Sequence, residues 1–165
     1  MSLWLHPGVV HFAVALVLAG VLLDVVALWR ASERLLFAGY WNTLLGAAAL
    51  AVAVATGALA EANLGAHNGL GDALLALHRA TAYAALILAL ALATARLAMR
   101  GRIRPKTRTL YLAAAFTTSA LIIISATLGG VLVYRFGLGI PPDAARAVIA
   151  AQRKPLETAN TAQKR

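Results

Sequence analysis

No cysteine occurs anywhere in the 165 residues, which excludes thiolate metal sites, dithiol redox chemistry and a disulfide framework. Methionine is confined to Met1 and Met99, too few for a soft-ligand copper path. Charge is scarce: Asp, Glu, Lys and Arg make up 13% of the chain, against about 25% in a soluble globular domain. The first eight residues contain no Lys or Arg, so they lack the basic stretch of a cleaved signal peptide, and the first apolar segment is expected to remain in place. The apolar segments contain no helix-breaking proline, and no inverted repeat is apparent; both absences argue against a transporter.

What fills the chain instead is apolar sequence, 61% of it. Four stretches, about 9–29, 40–62, 73–99 and 110–134, each match or exceed the roughly 20 residues that a helix needs to cross a bilayer core. The expected fold is all-α: an integral membrane four-helix bundle of up-down topology over residues 1–140, followed by a short helix and a polar tail over 141–165. Net charge is +9, and its placement is informative. Arg30 and Arg34 lie between the first two stretches, and Arg100, Arg102, Arg104, Lys106 and Arg108 between the last two. Short cytoplasmic loops retain positive charge, so both termini and the 63–71 loop are expected on the opposite, periplasmic side of a bacterial inner membrane. Basic loops beside an anionic leaflet explain the charge without nucleic acid.

Polar residues within apolar stretches are where chemistry is sought, because each is costly in hydrocarbon. Asp24 and Arg96 sit at comparable depth on the first and third stretches, which makes them natural partners. Gly46, Ala49, Ala53, Gly57 and Glu61 form a small-residue stripe suited to close helix packing or to a flat macrocycle. All four histidines, His6, His11, His67 and His78, belong to the half opposite the basic loops. Two imidazoles on facing helices, a slot lined by small residues and cations at the rim are the parts of a b-type haem site. Here those parts are His11 and His78 as axial candidates, Gly57 with Gly129 and Gly130 as slot makers, and Arg79 and Arg135 as propionate partners. His6 is expected as a supporting or alternative ligand, with His67 as its companion in a second site. A bare metal ion held by the same histidines, with Glu61 and Asp72 nearby, is the alternative; so is a purely structural role in hydrogen bonding between helices.

Two motifs carry a resemblance. His6-Pro7-Gly8-Val9-Val10-His11-Phe12 opens the first stretch, and Gly129-Gly130-Val131-Leu132-Val133-Tyr134-Arg135-Phe136-Gly137-Leu138-Gly139 closes the fourth, with His78 early in the third. In this order and spacing they resemble the DUF2231 family of small bacterial membrane proteins, over about residues 5–140. The resemblance departs at Ala13, where the family typically has proline. It implies a four-span membrane architecture and a shared set His6, His11, His78, Gly130, Tyr134 and Gly139. It also implies a redox setting, since related proteins occur joined to Rieske-type iron–sulfur or c-type cytochrome modules. The expectation from residues and resemblance together is an electron-transfer subunit of a larger complex. It would bind haem b near the periplasmic face and pass electrons between quinol or a partner subunit and a periplasmic cytochrome or Rieske-type carrier. The rivals are a structural subunit and a metal-handling protein.

Overall fold

Four helices, each long and apolar enough to cross a membrane, account for nearly all of the computed structural model, which describes residues 5–62 and 69–138. They are α1 (Leu5–Arg30), α2 (Glu33–Glu61), α3 (Gly69–Ala98) and α4 (Arg108–Phe136), with no strand among the described residues. The expected C-terminal helix near 144–152 and His67 lie outside the described residues.

Local chemistry sets the helix ends. Pro7 falls in the first turn of α1, where an absent N–H removes no intrahelical bond, so the helix starts earlier than the apolar run suggests. Ser32 caps α2 by accepting from the Leu35 amide. A short 3-10 turn, Pro105–Thr107, leads the basic loop into α4. Gly137, at φ 65°, ends α4: its N–H bonds to the Val133 carbonyl, and the Leu138 N–H reaches back to Leu132. That left-handed position is open to glycine at little cost.

The helices form two antiparallel hairpins, α1 with α2 and α3 with α4, closed into a square by contacts of α2 with α3 and of α1 with α4. Helices α1 and α3 are therefore diagonal, as are α2 and α4. The α1–α2 contact is close because the stripe is small: a Cβ on Gly46 would come within 2.9 Å of the Val17 side chain. Ala13, Val17, Ala53, Ala85, Ala89 and Ile122 lie at the centre. Large apolar side chains such as Phe12, Leu22, Phe37 and Ile87 face outward, as lipid-facing residues do.

Candidate functional site

Two polar assemblies interrupt the apolar interior, one at each end of the bundle. At the end bearing the basic loops, Asp24 of α1 and Arg96 of α3 meet across the diagonal, Oδ1 to Nη2 at 3.2 Å, both essentially without exposure. The pairing expected from their depth is therefore present. Its contact is Coulombic rather than an aligned hydrogen bond, since Asp24 Oδ1 has no hydrogen-bond partner. Alignment goes to the other atoms. The Tyr111 hydroxyl of α4 donates to Asp24 Oδ2 at 2.6 Å, and Arg96 Nη2 donates to the Leu36 carbonyl of α2 at 2.7 Å. Arg96 Nε and Nη1 meet no oxygen, but the guanidinium lies 5.8 Å from the Tyr40 ring centre and 5.6 Å from that of Tyr111. Aromatic faces attract a desolvated cation, which offsets part of the missing hydrogen bonding. Gly39 completes the group, because any Cβ there would collide with the Asp24 carboxylate. All four helices are joined at this one cluster.

At the other end the interior polar groups are imidazoles. His6 of α1 is held by Thr56 of α2, Nδ1 to Oγ1 at 3.2 Å. The Thr56 hydroxyl already donates to the carbonyls of Val52 and Ala53, so it accepts from His6, and the His6 proton sits on Nδ1. The His6 ring lies against Gly57, where a Cβ would approach its Cε1 to 2.9 Å. His78 of α3 repeats the arrangement on α4. Its Nδ1 donates to the Ser125 carbonyl at 2.8 Å and lies 3.2 Å from Ser125 Oγ, whose own proton goes to the His78 carbonyl. The His78 ring lies against Gly129, with a Cβ there at 3.2 Å from Cε1. The two imidazoles stand on diagonal helices, each between its own helix and the next in the chain. Each is fixed as the Nδ1–H tautomer, which leaves Nε2 as the available lone pair.

The expected axial pair His11 and His78 is not brought together. His11 is exposed on the outside of α1, its Nδ1 donating to the Pro7 carbonyl one turn back at 2.6 Å. His6 occupies the inner position instead. Thr56 and Ser125, which set the tautomers, were not singled out from the sequence. Of the other expected residues, Gly57 and Gly129 make cradles for imidazole rings, whereas Gly130 faces open space. Arg79 is paired with Glu61 at 2.7 Å on the rim, Arg135 is exposed, and Tyr134 is 90% exposed on the outside. No group of three or more His, Cys, Asp or Glu that could hold a metal ion exists among the described residues.

Four apolar helices and this placement of the histidine and glycine motifs meet the family pattern, and the DUF2231 family, described as "Predicted membrane protein", matches residues 3–142. The chain belongs to the DUF2231 family. No curated protein and no solved structure matches it. In this DUF2231 protein a cavity of about 50 Å³ adjoins His78, lined by that residue and Ser125 and otherwise by apolar residues such as Val10, Leu50 and Ile122. That volume has room for a few water molecules, at roughly 10–15 Å³ each.

The donor set fits a haem. Two Nδ1-anchored imidazoles on diagonal helices offer their Nε2 atoms, and each is backed by a glycine that leaves room at the ring. The cavity as it stands is smaller than a porphyrin, so binding one through these two residues would require the histidine ends of the helices to part.

Proposed function

We propose that this DUF2231 protein is a haem-b-binding electron-transfer subunit whose haem would be held by His6 and His78. The observation that carries this reading is the shared support of the two imidazoles: each has Nδ1 tied to an acceptor on the neighbouring helix, as ligating histidines usually do, and Nε2 left for a ligand. Haem held there supplies one-electron redox chemistry. The chain's own residues supply tautomer and ring orientation through Thr56 and Ser125, space through Gly57 and Gly129, and positive charge near the rim through Arg79 and Arg135. Arg79 is shared with Glu61, so it would serve a propionate only by exchanging that partner. The setting we propose is the periplasmic side of a bacterial inner membrane. There the subunit would exchange electrons with quinol or a partner subunit and with a periplasmic cytochrome or Rieske-type protein.

The absorption spectrum of protein purified from haem-replete membranes tests this. A Soret band and a reduced α band are expected in the parent and in His11→Ala, and both are expected to vanish in His6→Ala and His78→Ala while the proteins remain folded. A parent without pigment, or pigment that depends on His11 rather than His6, overturns the assignment. The small size of the cavity, about 50 Å³, favours a second reading, in which the imidazoles are hydrogen-bonding posts between helices; that reading expects no pigment in any variant.

A further inference from the structure

The interval from His6 to His78, 72 residues, recurs through the molecule. The same interval separates Gly57 from Gly129, the glycines on which those imidazoles rest. It separates Asp24 from Arg96, the two members of the buried ion pair. It also separates Gly39 from Tyr111, the residues placed against that pair from α2 and α4.

Burial follows the same interval. On the first helix of each hairpin, the buried residues Ala13, Val17, Gly20 and Asp24 correspond to Ala85, Ala89, Leu92 and Arg96, all buried. On the second, Gly46, Ala47, Leu50 and Ala53 correspond to Thr118, Ser119, Ile122 and Ser125, again all buried. Pro105, which begins the turn leading into α4, corresponds to Glu33, the first residue of α2. Few residues are identical: Leu5-His6 with Leu77-His78, Leu18-Ala19 with Leu90-Ala91, and Gly57 with Gly129 are among them.

Both hairpins run in the same direction, and equivalent helices are diagonal. A rotation about an axis along the bundle relates such halves, as in parallel repeats of membrane proteins. A residue that meets its own equivalent lies beside that axis. Asp24 touches Arg96, and His6 and His78 take equivalent places at the other end, each against the glycine of its own hairpin.

We infer that this chain is a duplicated hairpin folded as an internal dimer, and that His6 and His78 are the two halves of a single ligand site on its pseudo-twofold axis. The site takes one centre offering two equivalent coordination positions to two equal nitrogen donors, one from each hairpin. That the centre is haem iron rests on the proposed function; the duplication does not. The other pole explains why the halves diverged. Identical residues at positions 24 and 96 would set two like charges against each other in a water-free interior, whereas an Asp with an Arg attract.

An exchange of that pole between hairpins tests the inference in the full-length protein. D24R/G39Y and R96D/Y111G each place two like charges on the axis; D24R/G39Y/R96D/Y111G exchanges the pole entire. Each half-exchange is expected to lower the melting temperature in detergent by roughly 10 °C or more, and the full exchange to melt close to the parent. A full exchange no more stable than its halves overturns the duplication.

Iron protoporphyrin titration reads the other pole. One porphyrin per parent chain, with bis-imidazole spectra lost equally in His6→Ala and His78→Ala, is the expected result. Two porphyrins per chain, or a parent-like spectrum in either variant, overturns the single shared site. A parent that takes up no porphyrin while the pole exchange behaves as expected overturns the haem reading and supports the common axis.

Discussion

The two ends of this bundle solve the same problem with different chemistry. At one, a carboxylate and a guanidinium face each other across the diagonal with Tyr111, Gly39 and the Leu36 carbonyl around them. At the other, one imidazole from each of the same two helices is held by its neighbouring helix, His6 by Thr56 and Gly57 and His78 by Ser125 and Gly129. At the charged end opposite charges attract and two aromatic rings flank the guanidinium, although Asp24 Oδ1 and Arg96 Nε and Nη1 have no hydrogen-bond partner. At the imidazole end two like groups in the Nδ1–H form cannot hydrogen-bond to each other through Nε2. Paired charges suit a structural fastening, and open lone pairs suit a binding site.

The sharpest way to break this contrast is to remove one member of the charged pair. Arg96→Ala leaves the Asp24 carboxylate buried without a cation and is expected to destabilise the fold by about 3–5 kcal/mol, read as a fall in melting temperature or in membrane yield. A loss under 1 kcal/mol would place the fastening elsewhere. A middle effect is expected from Tyr111→Phe, which removes only the 2.6 Å bond to Asp24. Interhelical hydrogen bonds in membranes contribute about 0.6 kcal/mol on average and up to about 1.7, and this one, buried and made to a carboxylate, belongs at the upper limit. Thr56→Val, at the imidazole end, is expected near the average, about 0.6 kcal/mol. Its larger consequence is freedom of the His6 ring, which, if the proposed haem is bound, would broaden or shift its spectrum. Should Thr56→Val cost more than Tyr111→Phe in thermal unfolding, the division into a fastening end and a binding end is wrong.

The spans were legible because membrane helices must satisfy their backbones internally and face lipid, and both demands write long apolar runs. Asp24 and Arg96 were legible from depth alone, since charges in such runs need one another. Depth without helical phase points to His11 as the companion of His78, whereas His11 lies exposed and His6 takes the inward position on α1. Eighteen residues, five turns at about 3.6 residues each, separate His6 from Asp24, so both lie on one face of α1. The same count separates His78 from Arg96 on α3. His11 is 13 residues from Asp24, which at that pitch turns it to the far side of the helix. The ion pair thus marked the inward face in advance. Thr56 and Ser125 resisted detection because a hydroxyl in an apolar helix most often bonds its own preceding turn, as Thr81, Thr94 and Thr127 do here.

The basic-end cluster also bears on how the chain is made. Synthesis delivers α1 with its carboxylate long before α3 brings the matching guanidinium, and the Tyr111 hydroxyl arrives later still. Until then the first hairpin holds an uncompensated acid within a hydrocarbon layer, a state that invites retention by an insertion chaperone or removal by a membrane protease. Nascent chains halted after α2 should accordingly be short-lived, and release of the last helix becomes the event that commits the polypeptide to survival.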